Sequence, residues 1–254
     1  LTVSDIVAGQ TIQVSSLASA GDQADEDLIL NMDSPTGTTD AITLESVASA
    51  ATTAHVNSLA SVTVEQTTVS SVAQSVETLN LVATRADVSD AAGTQIATLV
   101  AQNTGTVSIT GSGGVTIGAI DLLDASAADT TVATIDASAH TGDFTLGVDG
   151  TDFQNSSTDA DDYSVTLGAG TNTVYGEAAL DDGDTITGTT GTDTVDLVDN
   201  TGAVNLVNID TVALSGSSTG TYTASAENWS DIGAVTVAMG SGSRTITNID
   251  TTLA

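Results

Sequence analysis

Asn208-Ile209-Asp210-Thr211-Val212-Ala213-Leu214 is the stretch on which the fold turns, because it recurs. Ser75-Val76-Glu77-Thr78-Leu79-Asn80-Leu81 repeats its order of apolar, acidic, threonine and apolar residues, and Asn248-Ile249-Asp250-Thr251-Thr252-Leu253 returns to it once more. The last two copies lie roughly 40 positions apart, which fits two turns of about 20 residues each. A shorter echo joins Asp124-Ala125-Ser126 to Asp136-Ala137-Ser138. A repeat of this size carries too few apolar residues to bury a face alone, so it must stack on its neighbours.

Working outward, the chain reads as strands. Short runs rich in Val, Ile and Thr occupy 11–14, 62–64, 78–82, 107–109, 115–117, 165–167, 194–197, 212–214, 235–237 and 245–247. Side chains branched at Cβ suit a pleated surface and disfavour long helices. Gly, Asp, Asn, Ser and Thr fill the intervals, the residues that close turns or accept a positive φ. Ala/Ser-rich stretches at 17–24, 47–54 and 224–229 are read as connectors of a helical turn or two, and Pro35 as a loop residue. The expected fold is all-β, a parallel β-solenoid of the β-roll or β-helix kind over 91–254, with 1–90 a β-rich region that a β-sandwich would also explain. An antiparallel sandwich pair is the competing architecture.

Composition supports a narrow interior. The 254 residues are 40% hydrophobic, yet include only one Trp, three Tyr and two Phe. Ala, Val, Ile and Leu must supply the core. There are 33 acidic residues against two cationic ones, Arg85 and Arg244, giving a formal net charge of −31. Nucleic acid and anionic membrane surfaces are excluded as partners, since both demand clustered cations. Self-repulsion at this charge opposes compaction unless cations screen or bind it. Cysteine is absent, so neither disulfides nor thiolate metal sites exist. No apolar run is long enough to span a bilayer. With Leu1 first and no leader-like segment, the sequence reads as a mature chain or as a piece of a longer one.

The acidic turns between 163 and 200 carry the candidate chemistry. Gly188-Thr189-Thr190-Gly191-Thr192-Asp193-Thr194-Val195-Asp196 follows the nonapeptide G-G-x-G-x-D-x-U-x except at Thr189. Leu167-Gly168-Ala169-Gly170-Thr171-Asn172-Thr173-Val174-Tyr175 follows it with Leu167 for the first glycine and Asn172 for the aspartate. Asp182-Gly183-Asp184-Thr185-Ile186 repeats its ending. Glycines let a tight turn aim its carbonyls inward, the aspartate adds a carboxylate, and the next apolar residue enters the core. Stacked turns of this kind offer several oxygens to one ion, a donor set that suits Ca²⁺ better than the stricter Mg²⁺. The candidate ligands are Gly170, Asn172, Asp182, Asp184, Gly188, Gly191, Asp193 and Asp196. Two acidic clusters rank second: Asp22, Asp25, Glu26 and Asp27, and Asp159, Asp161 and Asp162.

On these residues the chain resembles the RTX-type secreted proteins and the surface-layer proteins of Gram-negative bacteria. The resemblance implies calcium-stiffened β-rolls, export by a type I system, a place at the cell surface and assembly with copies of the same chain. It extends to cell-surface polysaccharide as a further partner. The function expected is that of an extracellular structural subunit forming a lattice or filament. A repeat segment of an adhesin, or the calcium-binding part of an exported hydrolase, stays open beside it.

An enzyme is not expected. His55 and His140 have no companion histidine at ligand spacing, and no H-E-x-x-H helix occurs. So many carboxylates make chance pairs inevitable, and the few aromatic side chains leave no platform for a sugar.

Overall fold

A computed structural model describes residues 1–15, 26–33, 39–48, 56–65, 67–69, 72–74, 76–85, 93–102, 104–122, 132–148, 153, 162–176, 180–197, 203–215, 221–238 and 243–248. Two sheets dominate it. The first holds, in spatial order, β1 (Thr2–Ile6), β3 (Asp27–Met32), β5 (Val56–Glu65), β9 (Gly93–Val100), β11 (Gly114–Asp121), β13 (Phe144–Leu146), β15 (Thr171–Gly176), β17 (Thr192–Leu197), β19 (Thr211–Leu214) and β22 (Ala234–Val237). The second holds β2 (Thr11–Ser15), β4 (Ala41–Ala48), β8 (Thr78–Arg85), β10 (Thr106–Gly111), β12 (Ala133–Asp136), β14 (Tyr163–Thr166), β16 (Thr185–Thr187), β18 (Asn205–Val207) and β21 (Trp229–Ser230). Every neighbouring pair in both sheets is parallel.

The chain is a parallel β-solenoid. Successive strands alternate between the sheets, so each coil lays one strand on each. The strands before residue 90 pair in the same two sheets as those after it. Two small additions lie outside the stack: an antiparallel pair of β6 (Thr67–Val69) with β7 (Val72–Gln74), and a parallel pair of β20 (Thr221–Ser225) with β23 (Ser243–Thr247). The helical connector expected at 224–229 is instead the end of β20, a turn at Glu227 and Asn228, and the start of β21. Trp229 decides this, because its strand places the ring in the core against the coil carrying Leu206. Of the other two connectors, 17–24 and 49–54 lie outside the described residues, as does Pro35, while residues 47 and 48 belong to β4.

Alternation does the packing. In β3, β15 and β17 every second residue is buried, and the inward residues of one coil sit directly on those of the next. Ile42, Leu79, Val107, Ile135, Val165, Ile186 and Leu206 form one such column through pairwise register. All are buried to 1% exposure or less. Among the residues whose burial is described, Phe144, Phe153, Tyr163 and Trp229 add aromatic bulk to the core, with Phe153 and Tyr163 in an edge-to-face contact of 5.6 Å.

The two flanks where the chain passes between sheets differ. From β10 onwards, passing from the second sheet to the first takes two to seven residues, as with 112–113 between β10 and β11, 167–170 between β14 and β15, and 188–191 between β16 and β17. The reverse passages from β11 onwards take seven residues or more, as with 122–132, 147–162 and 198–204. The short flank is packed backbone on backbone. A Cβ on Gly170 would collide with the carbonyl of Gly142, and one on Gly191 with the carbonyls of Gly170 and Gly168. Gly170→Ala is therefore expected to lower stability by about 3 kcal/mol, the upper end for forced overpacking. Gly105→Ala, whose added methyl would come no nearer than 3.9 Å to Glu77 O, should cost less than about 0.5 kcal/mol. Urea midpoints followed by far-UV circular dichroism compare the two.

Candidate functional site

One inward column runs along the short flank, and its chemistry changes from coil to coil. Register pairs Asn57 with Thr94, Thr94 with Val115, Val115 with Phe144, Phe144 with Asn172, and Asn172 with Asp193. All six side chains are buried. Val115 and Phe144 meet the apolar core. At the other positions polar groups sit where no water reaches, and each must find a partner within the coil stack. Asn57 and Thr94 share the hydroxyl of Ser46, at 2.7 and 2.6 Å.

Asn172 and Asp193 form the densest polar knot. Asn172 Nδ2 donates to Gly168 O at 2.9 Å, to Gly170 O at 3.3 Å and to Asp193 Oδ1 at 2.7 Å. Asp193 Oδ2 accepts the backbone N–H of Thr189 at 2.9 Å. The N–H of Asp193 itself donates to Asp210 Oδ2 at 2.8 Å on the next coil. Thr189 Oγ1 donates to Gly168 O at 2.8 Å. The turn 188–191 is thus tied to the coil on either side of it. Burial raises the Asp193 carboxyl above its ordinary value, and the charge of Asp210 acts in the same direction; the Asn172 amide and the Thr189 N–H oppose them.

Asp184 plays the matching part at the opposite flank. Its Oδ1 accepts the N–H of Tyr163 at 2.8 Å and its Oδ2 the N–H of Asp181 at 2.8 Å. Burial raises its carboxyl to about 7, with Asp181 and Asp162 adding to the effect and the two N–H donors resisting it. Glu77 does the same for an earlier coil, accepting the N–H of Asp40 at 2.7 Å. Asparagines supply the complementary half. Asn208 Nδ2 donates to Gly188 O and Thr189 O, Asn205 Nδ2 to Asp182 O and Asp184 O, and Asn228 Nδ2 to Ala203 O. Carboxylates take N–H groups of an adjacent turn or coil, and amides cover its corner carbonyls.

Of the eight candidate ligands, the structure gathers Gly170, Asn172, Gly188, Gly191 and Asp193 at one corner. Asp182 and Asp184 belong to the other flank, because the nine residues from Asp184 to Asp193 cross the whole of β16. The stacked partner of Asp193 is Asn172, 21 residues away. Asp196 lies on the outward side of β17, between the inward Val195 and Leu197. Among the described residues no group of three His, Cys, Asp or Glu converges as a metal site. At the gathered corner both oxygens of Asp193 are engaged, and the two glycine carbonyls already receive an amide. These residues do not fit a calcium ion held inside the coil. Of the acidic clusters, Asp22, Asp25, Asp159 and Asp161 lie outside the described residues, whereas Asp27 Oδ1 accepts the Ser61 hydroxyl at 2.6 Å.

The reading of the sequence missed Asn205, Asn208, Asp210 and Gly168 as participants. Asn208 and Asp210 were visible in the recurring motif; what was missing is that the motif marks a corner, with Asn208 at φ 55° and Asp231 at φ 53° on the stacked coil. His140 is sealed in the core, where the Asp143 and Thr110 backbone groups approach the ring but neither nitrogen makes a well-directed hydrogen bond. Burial lowers its pKa from 6.5, against the approach of Asp143 and Thr110 backbone groups and the Asp143 charge. His55 lies outside the described residues. No family model matches the chain, and no curated protein or solved structure does either. No helix among the described residues is long and apolar enough to cross a membrane.

The raised carboxyls fix the sign of the pH dependence. A carboxyl whose folded pKa exceeds the ordinary 3.8 contributes stability at acid pH and loses it as pH rises through the folded value, near 7 for Asp184. His140 works in reverse, its contribution fading as pH falls below 6.5. Between pH 8 and 6.5 the acids act alone. Melting temperature should rise by roughly 2 °C on acidification across that window, and Asp184→Asn should remove most of the rise. His140→Leu should raise stability by about 1 kcal/mol at neutral pH, because two buried nitrogens without well-directed hydrogen bonds disappear, and by more at pH 5.5. Thermal scans at several pH values read both effects.

Proposed function

We propose that this chain is an extracellular structural protein, a subunit that associates with copies of itself into a surface layer or a filament. The observation that carries this reading is the uniform stack. Both sheets continue from coil to coil with the interior given over to packing, and its polar groups turn to the backbone of neighbouring coils. A corner carboxylate already holding two N–H groups is poorly placed to attack a substrate. His140 is closed off in the core.

Charge supplies the second half of the reading. With a net charge of −31, copies repel one another at low ionic strength. Exposed carboxylates such as Glu65, Asp182, Asp210 and Glu227 are free of the core and lie where a neighbour could approach. Calcium acting between copies, on such outward groups, would turn repulsion into bridging. Export through a type I system and contact with cell-surface polysaccharide belong to the same proposal and rest on the resemblance alone.

Light scattering on the purified chain tests it. Reversible growth into large ordered particles on adding millimolar calcium, undone by chelator, is the expected result, with magnesium less effective at equal concentration. A chain that stays monomeric at every calcium concentration would overturn self-assembly and favour an adhesin segment that binds a surface or glycan.

A further inference from the structure

The corner built from 168–170, Asn172 and Asp193 contains a cradle of oxygens with a nitrogen at its centre. Gly168 O, Gly170 O and Asp193 Oδ1 all lie 2.7–3.3 Å from one atom, Asn172 Nδ2. Two glycines make the cradle possible, since a Cβ at Gly168 would strike His140 O and one at Gly170 would strike Gly142 O. Three oxygens converging on a point is how a protein holds a cation. Here the point carries an amide with two hydrogens, and the fit is imperfect in an informative way. Two hydrogens are shared among three acceptors, and Asn172 Oδ1, fully buried, has no partner.

We infer that Asn172 is a built-in substitute for a cation: its amide closes this corner from within, so the coil needs no calcium to form. The same column shows what else the position tolerates. Val115 and Phe144 fill it with apolar groups on earlier coils and Asp193 fills it with a carboxylate on the next. The carboxylate is held by donors on its own and neighbouring turns, one of which is Asn172. Replacing that amide with a second carboxylate would set two acids against each other beside two carbonyls, an all-oxygen cluster that a metal cation or a shared proton must relieve. One residue thus decides whether the corner depends on metal. The inference concerns closure within a single chain and is independent of whether copies assemble.

Hydrogen exchange read by mass spectrometry over peptides covering 163–197 tests it, at a dilution where the chain is monomeric, in chelator and in millimolar calcium. The wild-type corner should show equal protection in both. In Asn172→Asp, exchange at neutral pH should rise about tenfold or more in chelator, as expected for losing a buried charge-assisted hydrogen bond, and calcium should restore it where magnesium does not. Asp193→Asn, which removes the carboxylate and leaves one of its two donors facing an amide NH2, should show the same exchange in chelator and in calcium. The inference is overturned if calcium protects the wild-type corner about tenfold and chelator reverses it, or if Asn172→Asp is as protected in chelator as the wild type. Should Asn172→Asp fail to fold, the wild type and Asp193→Asn still decide, since a calcium-dependent corner in the wild type that Asp193→Asn abolishes would refute it.

Discussion

A parallel coil must solve one problem at each corner. Along the strands every N–H and C=O finds its partner on the next coil, but where the chain turns between sheets that ladder is interrupted, and a buried unpaired group costs about 1–3 kcal/mol. Everything distinctive here follows from how the corners are closed. Glu77, Asp184, Asp193 and Asp210 accept N–H groups from an adjacent turn or coil, while Asn172, Asn205, Asn208 and Asn228 donate to corner carbonyls. Glycine is kept where two turns approach backbone to backbone. The high content of Asp, Asn and Gly is, in part, a corner inventory.

This separates two populations of acid in a chain of net charge −31. Inward carboxylates such as Asp184 and Asp193 are held by directed donors, and burial makes their ionised form costly. Outward ones remain solvated and feel mainly the repulsion of their neighbours. Counting acids cannot distinguish the groups, though they respond oppositely to solution conditions: salt relieves the second, and protonation the first.

Much of the fold was legible because its signals are local and periodic. Alternation in 194–197 and 212–214, and recurrence of the motif around Asn208, require only that like residues stack on like. The site was read less well. The spacing of nine between Asp184 and Asp193 looked like stacking, yet in a coil of two short strands it carries the chain to the opposite flank. Asn172 looked like a weakened aspartate; its amide nitrogen, which an aspartate lacks, is the atom that matters. The 224–229 stretch reads as helix from its Ala and Ser, but the Trp229 side chain gains more by entering the core as part of β21 than a lone helical turn could recover. Such choices depend on which coil lies beneath, and that is not local information.

The unequal flanks have a consequence for how such a chain can change over generations. On the short flank, Gly168, Gly170 and Gly191 each touch the backbone of the coil below, so a substitution or insertion there must be matched by its neighbour. On the long flank the passages between sheets differ widely in length from coil to coil while the strand register on either side stays parallel and continuous. From β10 onwards variation is thereby channelled to one edge. A lineage can lengthen, shorten or redecorate that edge and leave the stack intact, so the long flank is where new surface properties can be acquired and the short flank is where the sequence must hold still.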